Sequence, residues 1–501
     1  MATSISTVNR EQRALTQEGF VTLRHDKLFL AILLVGLLLR LVFVLVGAKL
    51  YYGPALMFTN GDSDSYMMSF RNLVEHGTYT FNFAEPDAAF GRLPGYPFFY
   101  GIHYYLFGVQ HAIQAIAWTQ ALLDCVAIGL VFLIARRLAP SNYLGAYVAA
   151  ALYAVYPFII VWTTIIGTEL LATFLTLLWL YTLLSVSNRW AGYVLLGIEL
   201  ALLFYVREFM GILLPITCIY LLFSRRIGWP IGVRHCVLVG LGFGALYIWW
   251  PARNYVTQHR VMLVKPERAG FPNYKPDMVS FLDWVHGWSN ESSYWLQQVL
   301  TNPHPAFPAD VFASPQEQAR AQALVQQANE CGSSFFVYRA GAPAPVYATP
   351  GKYQLSAGNC NEQVSQGFEQ LRQSFKQRNP LVYYTRVPLA NLRKVFFKSG
   401  TQGSDGATKK QLLLGVVFGY RTLLLILGVI GLLVYRKKAG IQPILIFWVF
   451  IVVFMCWYFR QLEMRYLLQA DVLLLPPAGL LLGQWLSRLV SARRLGISRA
   501  S

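Results

Sequence analysis

The sequence predicts an all-α polytopic membrane protein of about ten transmembrane helices, with amphipathic helices in its first outer loop and one small α or irregular outer subdomain. Three observations predict it. The 501 residues are 55% hydrophobic and 13% charged, and their apolar runs are long enough to cross about 30 Å of hydrocarbon, which excludes a soluble globular chain. The 42 Lys and Arg outnumber the 24 Asp and Glu, but they gather in short clusters at the ends of apolar runs. The formal charge of +18 therefore speaks for orientation in a membrane and against a nucleic-acid partner. Finally, one interval, 251–411, shifts to Pro, Gln, Ala, Asn and Ser, the composition of a water-exposed insert.

Taken in order, Arg10, Arg13, Arg24 and Lys27 precede the apolar run 28–46, which is too long for a signal-peptide core, lacks a clear cleavage site and reads as a retained first span. A polar and aromatic loop, 48–110, follows. Its 66–76 stretch fits a short helix, and Arg92-Leu93-Pro94-Gly95-Tyr96-Pro97 fits a stiff turn that opens a second, aromatic helix. Further crossings are expected at 113–135, 144–162, 169–186, 192–206, 209–223, 236–250, 412–435, 441–458 and 466–486. The basic connections are Arg136-Arg137, Arg189, Arg225-Arg226 with Arg234, Arg436-Lys437-Lys438 and the tail with Arg493-Arg494. By the positive-inside rule they and both termini are cytoplasmic, and the loops at 48–110, 163–168, 207–208, 251–411 and 459–465 share the outer face of the inner (plasma) membrane.

This divides the chain into a transmembrane module at 1–250 whose loop 48–110 carries chemistry, an outer insert at 251–411, and C-terminal membrane helices at 412–501. One helix is expected in the insert, near 315–330. The stretch 386–398, RVPLANLRKVFFK, reads equally as a helix lying flat on the membrane and as a solvated basic helix. Cys125, Cys218 and Cys456 fall in apolar runs, where a small buried hydrophobe is the plain reading, whereas Cys331 and Cys360 in the insert are its one candidate disulfide.

Carboxylates beside a bilayer are costly to ionise and are expected to have raised pKa values, which suits a general base. Asp62 is the first candidate, and a loop cap in Asn-Gly-Asp-Ser-Asp is its structural alternative. With Asp64 it forms an Asp-x-Asp spacing that could hold a divalent metal, the only cofactor the sequence raises. Glu169 opens a span, as a catalytic acid or as dipole compensation. Arg92, Arg207 and Arg253 are outer-face cations suited to a phosphate, or to snorkelling. Arg460, Glu463 and Arg465 form a further charged knot, either for substrate or as an ion-pair cluster closing the last two spans. Arg40, Asp124 and Asp471 lie inside spans, where an internal pair competes with a transport role. His76, His103 and His111 near the first loop read as ordinary polar residues.

In order along the chain, five motifs resemble the polyprenyl-phosphate-dependent membrane glycosyltransferases of the GT-C superfamily, in the branch of protein O-mannosyltransferases, aminoarabinose transferases and rhizobial core-oligosaccharide transferases. They are Asp62 with Tyr66 four residues on; Arg92-Leu-Pro-Gly-Tyr96-Pro-Phe-Phe; Thr168-Glu169; Trp250-Pro251-Ala-Arg253-Asn254-Tyr255; and Arg465-Tyr466-Leu467. The sequence departs from the mannosyltransferase pattern in having Asp62-Ser63-Asp64 for an adjacent Asp-Glu and Leu-Pro-Gly for paired prolines. The resemblance implies a transferase that moves a sugar from a polyprenyl-phosphate donor to a hydroxyl of a glycan, glycolipid or protein, with inversion. Asp62 would be the base, Arg92 would hold the donor phosphate and Glu169 would orient donor or acceptor. Asp64, Tyr66, Tyr96, Arg207, Arg253, Arg460 and Arg465 would contact substrate. The rivals are a transporter or flippase of lipid-linked sugars, built on the intramembrane charges, and a non-catalytic assembly or receptor subunit.

Overall fold

Helix α1 (Lys27–Tyr52) opens where the carboxylate of Asp26 accepts the amides of Leu28 and Phe29, each at 3.1 Å. Leu34, Leu38, Val42 and Leu45 remain exposed along it, a stripe for lipid, while Arg40 is fully buried. The computed structural model describes residues 26–186, 189–223, 228–265, 270–302, 304–339, 358–397, 409–460 and 462–497. Arg10, Arg13, Arg24 and the Arg225-Arg226 connection lie outside the described residues.

The chain continues with α2 (Ser63–His76), α3 (Gly95–Leu138), α4 (Tyr143–Ala154), a short α5 (Pro157–Ile160), α6 (Thr168–Ser185), α7 (Trp190–Val206), α8 (Leu213–Phe223), α9 (Trp229–Tyr247) and α10 (Trp249–Gln258). After the insert come α17 (Lys409–Val434), α18 (Ile441–Val453) with a π-helical end (Phe454–Phe459), α19 (Met464–Leu473) and α20 (Leu475–Ile497). Among the described residues the fold is all-helical. In the membrane core α3 packs against α4 and α6, α7 against α9, and α20 against α4 and α17. Residues such as Ile128, Tyr153, Trp179 and Phe447, buried to 0% exposure, fill the space between them.

Among the described residues six helices are long and apolar enough to cross a bilayer, or seven if α19 and α20, bent by 45°, make one span. The expected ten are not reached on that test. Three of the expected crossings are shorter apolar helices, Tyr143–Ala154, Trp190–Val206 and Glu208–Phe223. The run 144–162 is one of them, and it breaks because Pro157 lacks an amide and disfavours helix in Tyr156, so α4 ends at Ala154. Helix α3 joins the aromatic helix after the Arg92–Pro97 turn to a crossing through one non-helical residue, Gly108, at φ 71° and ψ 168°. That conformation is open to glycine and closed to most side chains.

The insert is more helical than its composition announced. Besides α13 (Pro315–Cys331), which covers the expected helix, it contains α11 (Pro276–Trp288), α12 (Ser292–Thr301), α14 (Ser333–Arg339) and α15 (Asn361–Arg378). Ser314 caps α13 by accepting the Glu317 amide at 3.2 Å, with Pro315 as its first residue. On α15 a stripe of Val364, Phe368, Leu371 and Phe375 at helical spacing enters a core of Phe281, Trp284, Val325 and Phe335, separate from the membrane core. Cys331 and Cys360, 29 residues apart, are bonded and tie the end of α13 to the start of α15. The stretch 386–398, described as far as Phe397, packs one side against the fold. After a π-helical turn (Val382–Arg386), α16 (Val387–Phe397) buries Val387, Asn391 and Val395 and packs on α17 and on the end of α18. Its Lys394 is held by Glu291 at 2.5 Å.

Candidate active site

Asp62 stands at the cap position of α2, yet its carboxylate caps nothing there. Asn60 does the local turn work instead, its side-chain oxygen accepting the Asp62 amide at 2.9 Å. The Asp62 carboxylate is thereby left to longer-range partners. Oδ1 accepts from Arg92 Nη2 at 2.8 Å and Oδ2 accepts from Arg465 Nη1. Arg92 also donates to Ser65 Oγ at 2.7 Å and to the Tyr66 hydroxyl at 3.0 Å, and lies over the rings of Tyr66 and Phe271. Residues 62, 65 and 66 thus use the first turn of α2 to grip the cation of the Arg92–Pro97 turn. Arg465 is held in addition by Glu463.

Burial pushes the Asp62 carboxyl up, but the charges and hydrogen bonds of Arg92 and Arg465 outweigh it and hold the group well below the usual carboxylate range. The expectation of a raised value fails here because two guanidinium groups, and not bare hydrocarbon, surround this carboxylate. Asp64 does behave as expected, raised by burial. Burial also pushes Tyr66 up to about 12, so its hydroxyl stays protonated.

Glu169 enters the same region from the first turn of α6, where its side chain is 4% exposed and its Oε1 meets Arg207 Nη2 at 3.3 Å. Arg207 Nη1 is buried without a hydrogen-bond partner. Two contacts place this pair. A Cβ on Gly95 would stand 2.6 Å from both the Tyr205 carbonyl carbon and the Val206 nitrogen, so only glycine lets the start of α3 lie against the backbone leading into Arg207. The Tyr96 hydroxyl donates to Gln120 Oε1 at 3.0 Å, and Gln120 Nε2 donates to the carbonyls of Thr163 and Ile165, each at 3.0 Å, in the turn that runs into Glu169.

Asp62, Tyr66, Arg92, Glu169, Arg207, Arg460 and Arg465 all line one cavity of about 2030 Å³. One wall is apolar, formed by Ile446, Val449, Phe450 and Val453 of α18, and the far wall belongs to the insert. Asp64, Tyr96 and Arg253 are outside this lining. The Arg253 guanidinium donates to the carbonyls of Ala89 at 3.0 Å and Tyr79 at 2.8 Å and to the Asn254 side chain, which makes it a brace between α10 and the first loop. Both Asp62 oxygens face guanidinium groups, and among the described residues no three His, Cys, Asp or Glu side chains gather as a ligand set.

The three intramembrane charges singled out in the sequence, Arg40, Asp124 and Asp471, are paired. Arg40 meets Asp124 at 2.7 Å with the Tyr153 hydroxyl on the other carboxylate oxygen, and Asp471 is held at 2.7 and 3.0 Å by Arg421, a residue the sequence reading passed over. Gln120 was passed over as well. Each is a polar residue inside an apolar run, the signal by which both could have been found. His103 spends its ring nitrogens on the Phe99 carbonyl and Thr119.

Residues 88–250 match the family described as dolichyl-phosphate-mannose-protein mannosyltransferase. Over that segment the resemblance to the GT-C glycosyltransferases holds. The matched segment includes Arg92, Tyr96, Glu169 and Arg207, and leaves out Asp62, Arg460 and Arg465. No curated protein matches the chain by sequence. Among solved structures, the oligosaccharyltransferase of Archaeoglobus fulgidus in the apo form aligns over 95% of this chain and 52% of its own at 16% identity and a TM-score of 0.45. The same enzyme tethered to an acceptor peptide containing the NVT sequon aligns over 94% and 51% at 14% identity and a TM-score of 0.47. Its complex with an inhibitory peptide and a dolichol-phosphate, under the name AglB, aligns over 95% and 52% at 14% identity and 0.46. The chain thus spans about half the length of those proteins, and likeness at this level decides no chemistry.

Proposed function

We propose that this GT-C-type membrane protein is a glycosyltransferase that moves a sugar from a polyprenyl-phosphate donor to an acceptor hydroxyl on the outer face of the membrane, with inversion. The observation that carries this reading is the single cavity in which an apolar wall on α18 continues into a floor of Asp62, Glu169, Arg92, Arg207 and Arg465. The lipid chain lies along Ile446, Val449 and Val453, and its phosphate meets the guanidinium groups. Arg207 brings an unused buried Nη1 to this task. Arg253, bound to backbone carbonyls, supports the loop and does not touch donor.

The acceptor oxygen attacks the anomeric carbon, the bond from that carbon to the phosphate oxygen breaks, and its electron pair leaves on the lipid phosphate. The phosphate gains negative charge as it departs, so cations fixed in place stabilise the transition state more than the ground state. The hydroxyl proton passes to Asp62. A carboxylate of low basicity suffices, because the attacking oxygen becomes strongly acidic as its new bond forms. A donor phosphate that draws Arg92 and Arg465 toward itself also returns basicity to Asp62. Glu169 pairs with Arg207 beside the floor, where it orients a hydroxyl of donor or acceptor.

Arg40, Asp124 and Asp471, the charges that motivate a flippase, are consumed in the Arg40–Asp124 and Arg421–Asp471 pairs. The test is transfer of radiolabelled sugar from a polyprenyl-phosphate donor by purified protein, with the anomeric configuration of the product read by NMR. Transfer with inversion supports the reading, whereas retention or movement of intact donor across a liposome bilayer without transfer would refute it.

A further inference from the structure

The insert's side of the cavity is charged and aromatic in its own right. Tyr383 and Tyr384 come from the π-helical turn before α16, and the Lys376 ammonium sits 5.6 Å from the centroid of each ring. The Arg460 guanidinium lies 4.0 Å from the Tyr383 ring centroid. Arg372 donates to the Tyr383 hydroxyl at 3.2 Å, and all of these residues line the cavity.

The cations are unevenly balanced. Arg372 is neutralised by Glu369, with two contacts of 2.7 Å. The hydrogen bonds of Arg460 run to the backbone carbonyls of Trp457 at 3.0 Å, His286 at 3.3 Å and Tyr383 at 2.8 Å, which offset none of its formal charge. Asp283 attracts it and Arg372 repels it. Glu369, which acts on Lys376 as well, and the cavity-lining Asp283 set two negative charges against the three cations Arg372, Lys376 and Arg460, and the remaining positive charge favours an anion.

One further observation points to a ligand here. His286 is 5% exposed, lines the cavity and leaves Nε2 without a hydrogen-bond partner. Burial and the neighbouring Arg460 push its pKa down to about 4, so the ring is neutral and suited to a sugar hydroxyl more than to an anion.

We propose that Lys376, Arg460, Tyr383, Tyr384 and His286 form the acceptor subsite, built for a sugar that carries a carboxylate or phosphate group. This rests on the transferase reading above and gives the 251–411 insert its role, acceptor recognition. The ammonium and guanidinium bind the anion, the tyrosine rings face the apolar side of the pyranose, and His286 Nε2 meets a hydroxyl. The acceptor then approaches from the insert while the donor approaches along α18, which places the two substrates at opposite walls of one cavity.

Ligand-observed NMR on the purified full chain tests this with glucose, glucuronic acid, glucose 1-phosphate and geranylgeranyl phosphate as probes. The expected result is that at least one anionic sugar binds about tenfold or more tightly than glucose, the better of the two identifying the anion. Lys376→Gln, a change at a half-exposed position, removes that preference and leaves geranylgeranyl phosphate binding unchanged. His286→Gln weakens neutral and anionic sugars alike. Equal binding of all three sugars by the wild type overturns the proposal. So does a Lys376→Gln protein that keeps the preference, or one that loses geranylgeranyl phosphate, since the cluster would then belong to the donor. A wild type that binds anionic sugars through Lys376 but ignores geranylgeranyl phosphate would sink the transferase reading and leave the subsite standing.

Discussion

Asp62 owes its character to two neighbours, and that has a consequence in pH. Its folded pKa lies below the ordinary value of about 3.9, so the ion pairs contribute fully to stability above that value and are lost as pH falls through the folded one. Thermal melts of wild type and Asp62→Asn should differ by a constant amount from about pH 8 to about pH 5, and the gap should begin to narrow only below about pH 4. A gap that closes near pH 6 would contradict the pairing. Arg92 and Arg253 looked alike in the sequence, both outer-face arginines in motifs of one family. Their partners separate them: Arg92 meets a carboxylate in the cavity, and Arg253 meets the carbonyls of Ala89 and Tyr79. Arg92→Ala should therefore weaken both donor binding and transfer. Arg253→Ala should lower stability by about 1–3 kcal/mol while donor affinity in the folded protein is unchanged. Direct donor-binding measurements beside melting curves check the contrast. No spacing rule could have told these arginines apart, because the difference lies in contacts more than 160 residues along the chain for Arg253 and Ala89, 164 apart.

At the scale of elements, what was legible followed from periodicity and breakers. Helix α13 was readable from Ser314-Pro315 and α2 from the stretch after Asn60-Gly61, both with local signals. Helix α15 was not read, although Val364, Phe368, Leu371 and Phe375 carry the 3.6-residue period, because its polar residues dominated the composition. The expected single crossing at 144–162 failed at Pro157 for a reason visible in the sequence, and the length of the run masked it. The bond between Cys331 and Cys360 closes a loop of 29 residues, which in the chain-entropy view stabilises the insert by roughly 3–4 kcal/mol. Replacing both by Ser should lower the unfolding midpoint of the insert, followed by tryptophan fluorescence from Trp284 and Trp288, and leave the membrane helices folded. An unchanged midpoint would show that the helical core of the insert holds without it.

For the whole molecule, basic connections predict which side each loop occupies. Alkaline phosphatase fused near Gln327 should be active and near Lys438 silent, and the reverse pattern would discard the outward-facing site. The membrane class was legible because composition and charge report on solvent directly. The convergence of residues 62, 92, 169, 207 and 465 on one cavity came from tertiary packing, and sequence order only hinted at it. The contribution of the insert to that cavity left no motif at all. The central claim is that this cavity transfers sugar with Asp62 receiving the proton. The direct measurement is transfer of radiolabelled sugar from a polyprenyl-phosphate donor by purified wild type and Asp62→Asn, with donor affinity measured alongside. Wild type should transfer sugar, and the variant should fall on the order of 100-fold at retained donor affinity. Wild-type turnover in a folded Asp62→Asn protein would contradict it.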